Sequence, residues 1–124
     1  MKLALAGNIV NASPISDLNP LLLAMNATIT LCSTRGKRIV SVKDFFTAYR
    51  TVDICPDEVL VEVTIPQARK FEIVGSYKQS RRRDDDIAIV NGAFRVALKY
   101  EAGRWIVREA YTGFGGMAPI TTNA

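Results

Sequence analysis

Residues 27–42 read Ala27-Thr28-Ile29-Thr30-Leu31-Cys32-Ser33-Thr34-Arg35-Gly36-Lys37-Arg38-Ile39-Val40-Ser41-Val42. Side chains of a strand point alternately to opposite faces, so a period of two marks an extended segment. Here Ala27, Ile29 and Leu31 fall on one face and Thr28, Thr30 and Cys32 on the other. Arg35-Gly36-Lys37 supplies a turn, and Arg38 to Val42 returns as a second strand. The pattern predicts a β-hairpin.

Upstream, Ser16 is suited to cap a short helix, with Leu18, Leu21, Leu22 and Met25 forming one apolar stripe at helical spacing. Pro20 lies in or near the first turn, where a missing N–H costs little. Asp17 falls at the helix start, near the positive end of its dipole. Downstream, Lys43 to Ala48 reads as a helical turn. Val59-Leu60-Val61-Glu62-Val63-Thr64-Ile65 reads as a strand that Pro66 stops. Strict alternation puts Val59, Val61, Val63 and Ile65 on the buried face, leaving Leu60 with Glu62 and Thr64 on the polar one.

Residues 67–70 look like a linker. Phe71 to Lys78 gives a further strand, and Ser80 to Asp86 a charged loop. Ile87 to Tyr100 follows, with Phe94, Val96, Leu98 and Tyr100 expected inward. Glu101-Ala102-Gly103 turns into a last strand from Arg104 to Thr112. About six strands and one clear helix predict an α+β fold, mostly antiparallel β-sheet with a few short helices. The linker places a boundary between subdomains 1–66 and 67–124.

The chain has 124 residues, 48% hydrophobic and 23% charged, which is a globular composition. It contains no histidine, so no histidine-based triad, shuttle or metal site lies within it. A net charge of +4 is mild, and Arg81-Arg82-Arg83 is followed directly by Asp84-Asp85-Asp86. A nucleic-acid binder would carry a one-signed stripe with interleaved aromatics, so none is expected as a partner. Cys32 and Cys55 are two cysteines without CxxC spacing, expected to be reduced and buried. Met1–Ala6 reaches Gly7 after too few apolar residues for the roughly 7–15 of a signal sequence. No apolar run approaches the roughly 20 residues of a membrane span, and the expectation is a soluble protein.

Residue chemistry alone leaves alternatives open. Gly7-Asn8 ahead of a helical segment either brings N–H groups to a phosphate or is a plain turn. Asp17 is a cap partner or a ligand group. Lys78 on a strand's polar face would ordinarily be solvated, and the Arg81–Asp86 loop would pair with itself.

A resemblance goes further. Gly7-Asn8-Ile9, followed by Ala12-Ser13-Pro14-Ile15-Ser16-Asp17-Leu18-Asn19-Pro20, resembles the flavin-binding stretch of xanthine dehydrogenases. Asp44-Phe45-Phe46, Tyr49-Arg50, Glu58-Val59-Leu60, Ile65-Pro66 and Tyr77-Lys78-Gln79 recur in that family's order. So do Arg82-Arg83-Asp84-Asp85-Asp86-Ile87-Ala88-Ile89-Val90-Asn91 and Phe114-Gly115-Gly116-Met117-Ala118-Pro119. Ala6 stands where the family has a further glycine, and Met1–Ala6 otherwise fits poorly.

The resemblance implies an oxidoreductase portion of the PCMH-type flavin fold that holds FAD and presents it to NAD. Gly7, Asn8 and Asp17 would hydrogen-bond the cofactor, Leu60 would pack near the isoalloxazine, and Lys78 would supply a charge or donor. The Arg81–Asp86 loop would lie near the flavin and tune its potential and access for NAD. In the whole enzyme, electrons from a purine pass from molybdopterin through 2Fe-2S clusters to FAD, then to NAD or oxygen. Such an enzyme would be a cytoplasmic homodimer, with the peroxisome as the alternative compartment. The family's flavin domain has a first half with its own phosphate-binding glycines. That half and the iron–sulfur and molybdenum domains lie outside this sequence, so residues 1–124 are expected to be inactive alone. The alternatives are an aldehyde oxidase-type fragment and a non-enzymatic truncated remnant.

Overall fold

The computed structural model describes residues 5–84 and 86–124. In order, the elements are α1 (Leu5–Val10), α2 (Asn19–Ala24), β1 (Thr28–Ser33), β2 (Gly36–Ser41), α3 (Val42–Phe45), β3 (Phe46–Ala48) and β4 (Thr51–Val52). They continue with β5 (Val59–Thr64), β6 (Glu72–Gln79), β7 (Val90–Glu101) and β8 (Arg104–Gly115). Two three-stranded sheets, ordered β2-β1-β5 and β6-β7-β8, are accompanied by a separate small β3-β4 pair. Every strand pairing is antiparallel, so the α+β, mainly antiparallel expectation holds.

The hairpin forms as its alternation requires. Ser33 pairs with Gly36 across a Thr34-Arg35 turn, and Gly36 takes φ +136°, a conformation that favours a residue without Cβ. Ala27, Ile29 and Leu31 are essentially inaccessible. They join Ile9, Leu22, Leu23, Val42, Phe45 and Phe46 in one core. Arg38 of β2 ties this sheet to the chain ahead of β5, donating to Asp53 and to both oxygens of Glu58.

The buried face of β5 is not the one strict alternation gives. Val59 and Val61 are exposed, as is Ile65 just past the strand's end, whereas Leu60 and Val63 pack against the core. The cause is a bulge. Thr30 pairs with Glu62, but its neighbour Leu31 pairs with Leu60, so Val61 is an extra residue opposite no partner. One inserted residue exchanges the faces on its two sides. Leu60 is therefore a core-facing leucine, not an oddity on a polar face.

The inward face of β7 also differs. Asn91, Ala93 and Arg95 are buried, while Phe94, Val96 and Leu98 are half-buried and Tyr100 is exposed. Helix α2 covers the face of small and polar residues because its backbone can approach there. A Cβ on Gly113 would overlap the Pro20 carbonyl oxygen. The opposite face collects Tyr77, Phe94 and Phe114 in edge-to-face and tilted contacts.

Arg95 reaches from β7 to the carbonyl of Met25 at the end of α2 (3.2 Å) and lies over the Tyr111 ring at 4.3 Å. Beside it the Glu72 carboxylate, 1% exposed, accepts from Arg69. The Arg95 guanidinium also stands 3.7 Å from that carboxylate, its buried Nε making no hydrogen bond among the described residues. Neither cysteine is buried as expected, Cys55 being exposed and Cys32 half-buried, and both are free. None of the described helices is long and apolar enough to cross a membrane.

Candidate functional site

The stripe expected on α2 is shifted. Leu22 and Leu23 carry the burial, with Leu18, Leu21 and Met25 only half-buried. The helix begins at Asn19, so Asp17 lies ahead of it and not in its first turn. The Ser16 hydroxyl does meet the helix start, accepting from the amides of Leu18 (3.3 Å) and Asn19 (3.2 Å) and donating to Asn8 Oδ1 (2.8 Å). With Ser16 holding the amides, the Asp17 carboxylate is free to face elsewhere.

It faces Lys78. The Lys78 ammonium donates to Asp17 Oδ2 at 2.8 Å, linking β6 to the Ser13–Leu18 loop across 61 positions of sequence. Lys78 is therefore paired, not simply solvated. Asn91 of β7 completes the group: its amide donates to the Ser16 carbonyl at 2.9 Å and to Asp17 Oδ1 at 3.4 Å. The Asn91 Oδ1 is buried and has no hydrogen-bond partner among the described residues.

Two cavities open at this point, and Asp17 lines both. One, of about 210 Å³, lies between Asp17, Pro20 and Lys78 over Asn91 and Ala93. The other, of about 380 Å³, is lined by Asn8, Asn11, Ser13, Ser16, Arg50 and Asp86, among others. Arg50, at φ +52°, donates to Asn11 Oδ1 at 3.2 Å. Asp86 accepts the amides of Arg82 (2.8 Å) and Ile87 (2.9 Å), which hold its carboxyl below the usual range. The charged loop thus closes partly on itself and presents a fixed carboxylate to the cavity.

Of the five residues expected at the site, the structure brings Asn8, Asp17 and Lys78 together. Gly7 does not form a turn ahead of a helix. It lies with Asn8 inside the first turns of α1, its carbonyl accepting from Asn11 N. Leu60 lines neither of these cavities. Sequence reasoning missed Asn91, because the apolar residues of β7 were assigned inward. The signal was present in Asn91, Ala93 and Arg95, a second alternating set of small and polar residues.

The comparisons with known proteins cover both halves of this arrangement. The family described as "FAD binding domain in molybdopterin dehydrogenase" matches residues 2–68. "CO dehydrogenase flavoprotein C-terminal domain" matches residues 75–124. The xanthine dehydrogenase/oxidase of Gallus gallus is 48% identical over 119 residues, 95% of this chain and 9% of that protein. The xanthine dehydrogenase of Oryza sativa subsp. japonica is 44% identical over 122 residues, 98% of this chain and 9% of that protein. The chain thus spans 9% of the length of the curated relatives it matches. The fold is shared with the carbon monoxide dehydrogenase of Hydrogenophaga pseudoflava, with a TM-score of 0.84 at 23% identity, over 94% of this chain and 39% of that one. Asp17 comes from the first matched segment, Lys78 and Asn91 from the second. On the match over residues 2–68, the chain belongs to the family of FAD-binding domains of molybdopterin dehydrogenases.

Proposed function

We propose that this chain is the FAD-binding portion of a xanthine dehydrogenase-type enzyme, in which Asp17, Lys78 and Asn8 hold the cofactor. The observation that carries this reading is the Asp17–Lys78 pair at 2.8 Å beside a cavity that Asn8, Ser13 and Arg50 help to line. An ion pair as exposed as this one contributes little to folding, about 0–1 kcal/mol. A role in ligand binding gives it a reason to be there.

The donor set suits a flavin dinucleotide. Such a ligand carries ribityl hydroxyls that donate and accept, and a pyrophosphate that needs cations or N–H donors. Asn8, Ser13 and Asp17 offer acceptors and donors for hydroxyls, while Arg50 and Lys78 offer positive charge. When bound, the flavin would supply a two-electron carrier between the reducing centres of the whole enzyme and NAD or oxygen. This chain's own residues bind and orient. Asp17 accepts a hydrogen bond while Lys78 aims its carboxylate. Asp86 fixes the charged loop at the cavity rim, and Leu60 remains the proposed apolar contact of the flavin ring, reached from β5.

On this reading residues 1–66 and 67–124 are two subdomains that share one cofactor, and the active assembly is a cytoplasmic or peroxisomal homodimer. Residues 1–124 alone are inactive and hold FAD weakly, because tight binding of so large a ligand needs most of its surface enclosed. Two measurements test the proposal. The Gallus gallus enzyme, with its matching stretch replaced by this chain, should retain FAD and reduce NAD with xanthine. The isolated chain should elute from gel filtration colourless. A flavin-free chimaera of native fold, or a yellow isolated chain with one flavin each, would contradict the respective half.

A further inference from the structure

We infer that Asn91 is a positioning residue for the flavin site, the centre of a clamp by which the second matched segment fixes the loop carrying Asp17. This inference rests on the flavin assignment above and extends it to a residue that acts through Asp17.

The clamp has two grips on one short loop. The Asn91 amide donates to the Ser16 carbonyl at 2.9 Å and to Asp17 Oδ1 at 3.4 Å. The Gly116 amide donates to the Pro14 carbonyl at 2.7 Å. With Lys78 on Asp17 Oδ2, both carboxylate oxygens are engaged from the β6-β7-β8 sheet. A loop residue whose two oxygens are held from outside its own segment has its direction set there.

Gly115 explains why the amide can sit where it does. A Cβ there would overlap Asn91 Oδ1 and stand 3.0 Å from the Pro14 carbonyl oxygen. The absent side chain leaves room for the Asn91 amide and the loop together. Asn91 is 7% exposed and its Oδ1 has no partner among the described residues. Buried amides ordinarily satisfy both ends. An amide kept with one end unsatisfied is retained here for the donor end, which faces Ser16 and Asp17.

Two arms test this. In the first, amide hydrogen exchange is followed in this full chain with no flavin present. Asn91→Ala should speed exchange at Leu18 and Asn19 by about tenfold, the scale of one lost hydrogen bond, while Ile29 and Leu31 of β1 stay protected. In the second, FAD is titrated into the stripped Gallus gallus chimaera. Asn91→Ala should weaken binding about tenfold, and should have no further effect in an Asp17→Asn background, since coupled residues are not additive. Asn91→Ser, which keeps a small polar group, serves both arms should Asn91→Ala not fold. Unchanged exchange at Leu18 and Asn19 overturns the clamp. Faster exchange with unchanged FAD affinity, or an equal loss in both backgrounds, overturns the positioning role. An unsubstituted chimaera that takes up no FAD removes the flavin assignment instead, and the exchange arm still judges the clamp.

Discussion

Lys78 Nζ stands 2.8 Å from Asp17 Oδ2, with the Lys78 side chain about one-third exposed and that of Asp17 60% exposed. Two consequences separate cleanly. Without flavin, Asp17→Asn should change the melting temperature little, because an exposed pair contributes about 0–1 kcal/mol. With flavin, loss of a charge-assisted hydrogen bond should cost about 1.5–3 kcal/mol, roughly ten- to a hundredfold in FAD affinity. FAD titration and thermal melting of the stripped chimaera measure both. Unchanged affinity with a lowered melting temperature would leave Asp17 a purely structural residue.

Leu60 should matter to the fold before any flavin is present. It packs on the core from the near side of the Val61 bulge, whereas Glu62 on the same strand is exposed. Leu60→Glu should destabilise the chain by about 1–2 kcal/mol, the cost of losing partial burial of a leucine. Glu62→Leu should leave stability within about 0.5 kcal/mol. Chemical denaturation midpoints of the two variants decide it, and equal midpoints would mean the core contact carries nothing.

Gly113 is expected to tolerate no side chain. The obstacle is the backbone of Pro20, which cannot rotate away. Gly113→Ala should cost about 1–3 kcal/mol by overpacking. Gly75→Ala, whose Cβ would meet only the Tyr77 ring at 3.4 Å, should be near neutral. A Gly113→Ala protein that melts with the parent would show that α2 can lift from β8 without penalty.

Acid should loosen the first sheet through Glu58. Hydrogen bonds from Arg38, then the amide of Cys55, hold its carboxyl down from an ordinary 4.5 to about 2. A carboxyl depressed in the folded state stabilises that state above its ordinary value. The contribution fades as pH falls from about 4.5 towards 2. Arg38→Leu should flatten the pH dependence of the melting temperature within that window. Parallel acid limbs in parent and variant would show that the pair does not link stability to pH.

The antiparallel fold was legible because the Ala27–Val42 hairpin and the Glu101-Ala102-Gly103 turn declare themselves by local pattern. What failed was the choice of face on β5 and β7. On β5 a single unpaired Val61 exchanges the faces, and nothing in an alternating run marks where a bulge falls. On β7 both faces alternate, one apolar and one small and polar. The buried one was decided by where α2 could approach, which depends on Gly113, some twenty residues further along. Asp17 and Lys78 emerged from resemblance, but their meeting could not be read from one sequence. Asn91 was hidden by the same error of face.

The exposed stretch from Pro66 to Arg69 has no regular structure, yet it is the covalent tie between the segments that supply Asp17 and Lys78. The ties that hold those segments in place lie elsewhere: Pro20 against Gly113, Met25 with Arg95, and Pro14 with Gly116. The peptide bond after Gln67 is thus expected to be dispensable to the arrangement. A protease nick there should leave a noncovalent pair, and residues 1–67 and 68–124 made as separate polypeptides should complement each other and rebuild the same cavity.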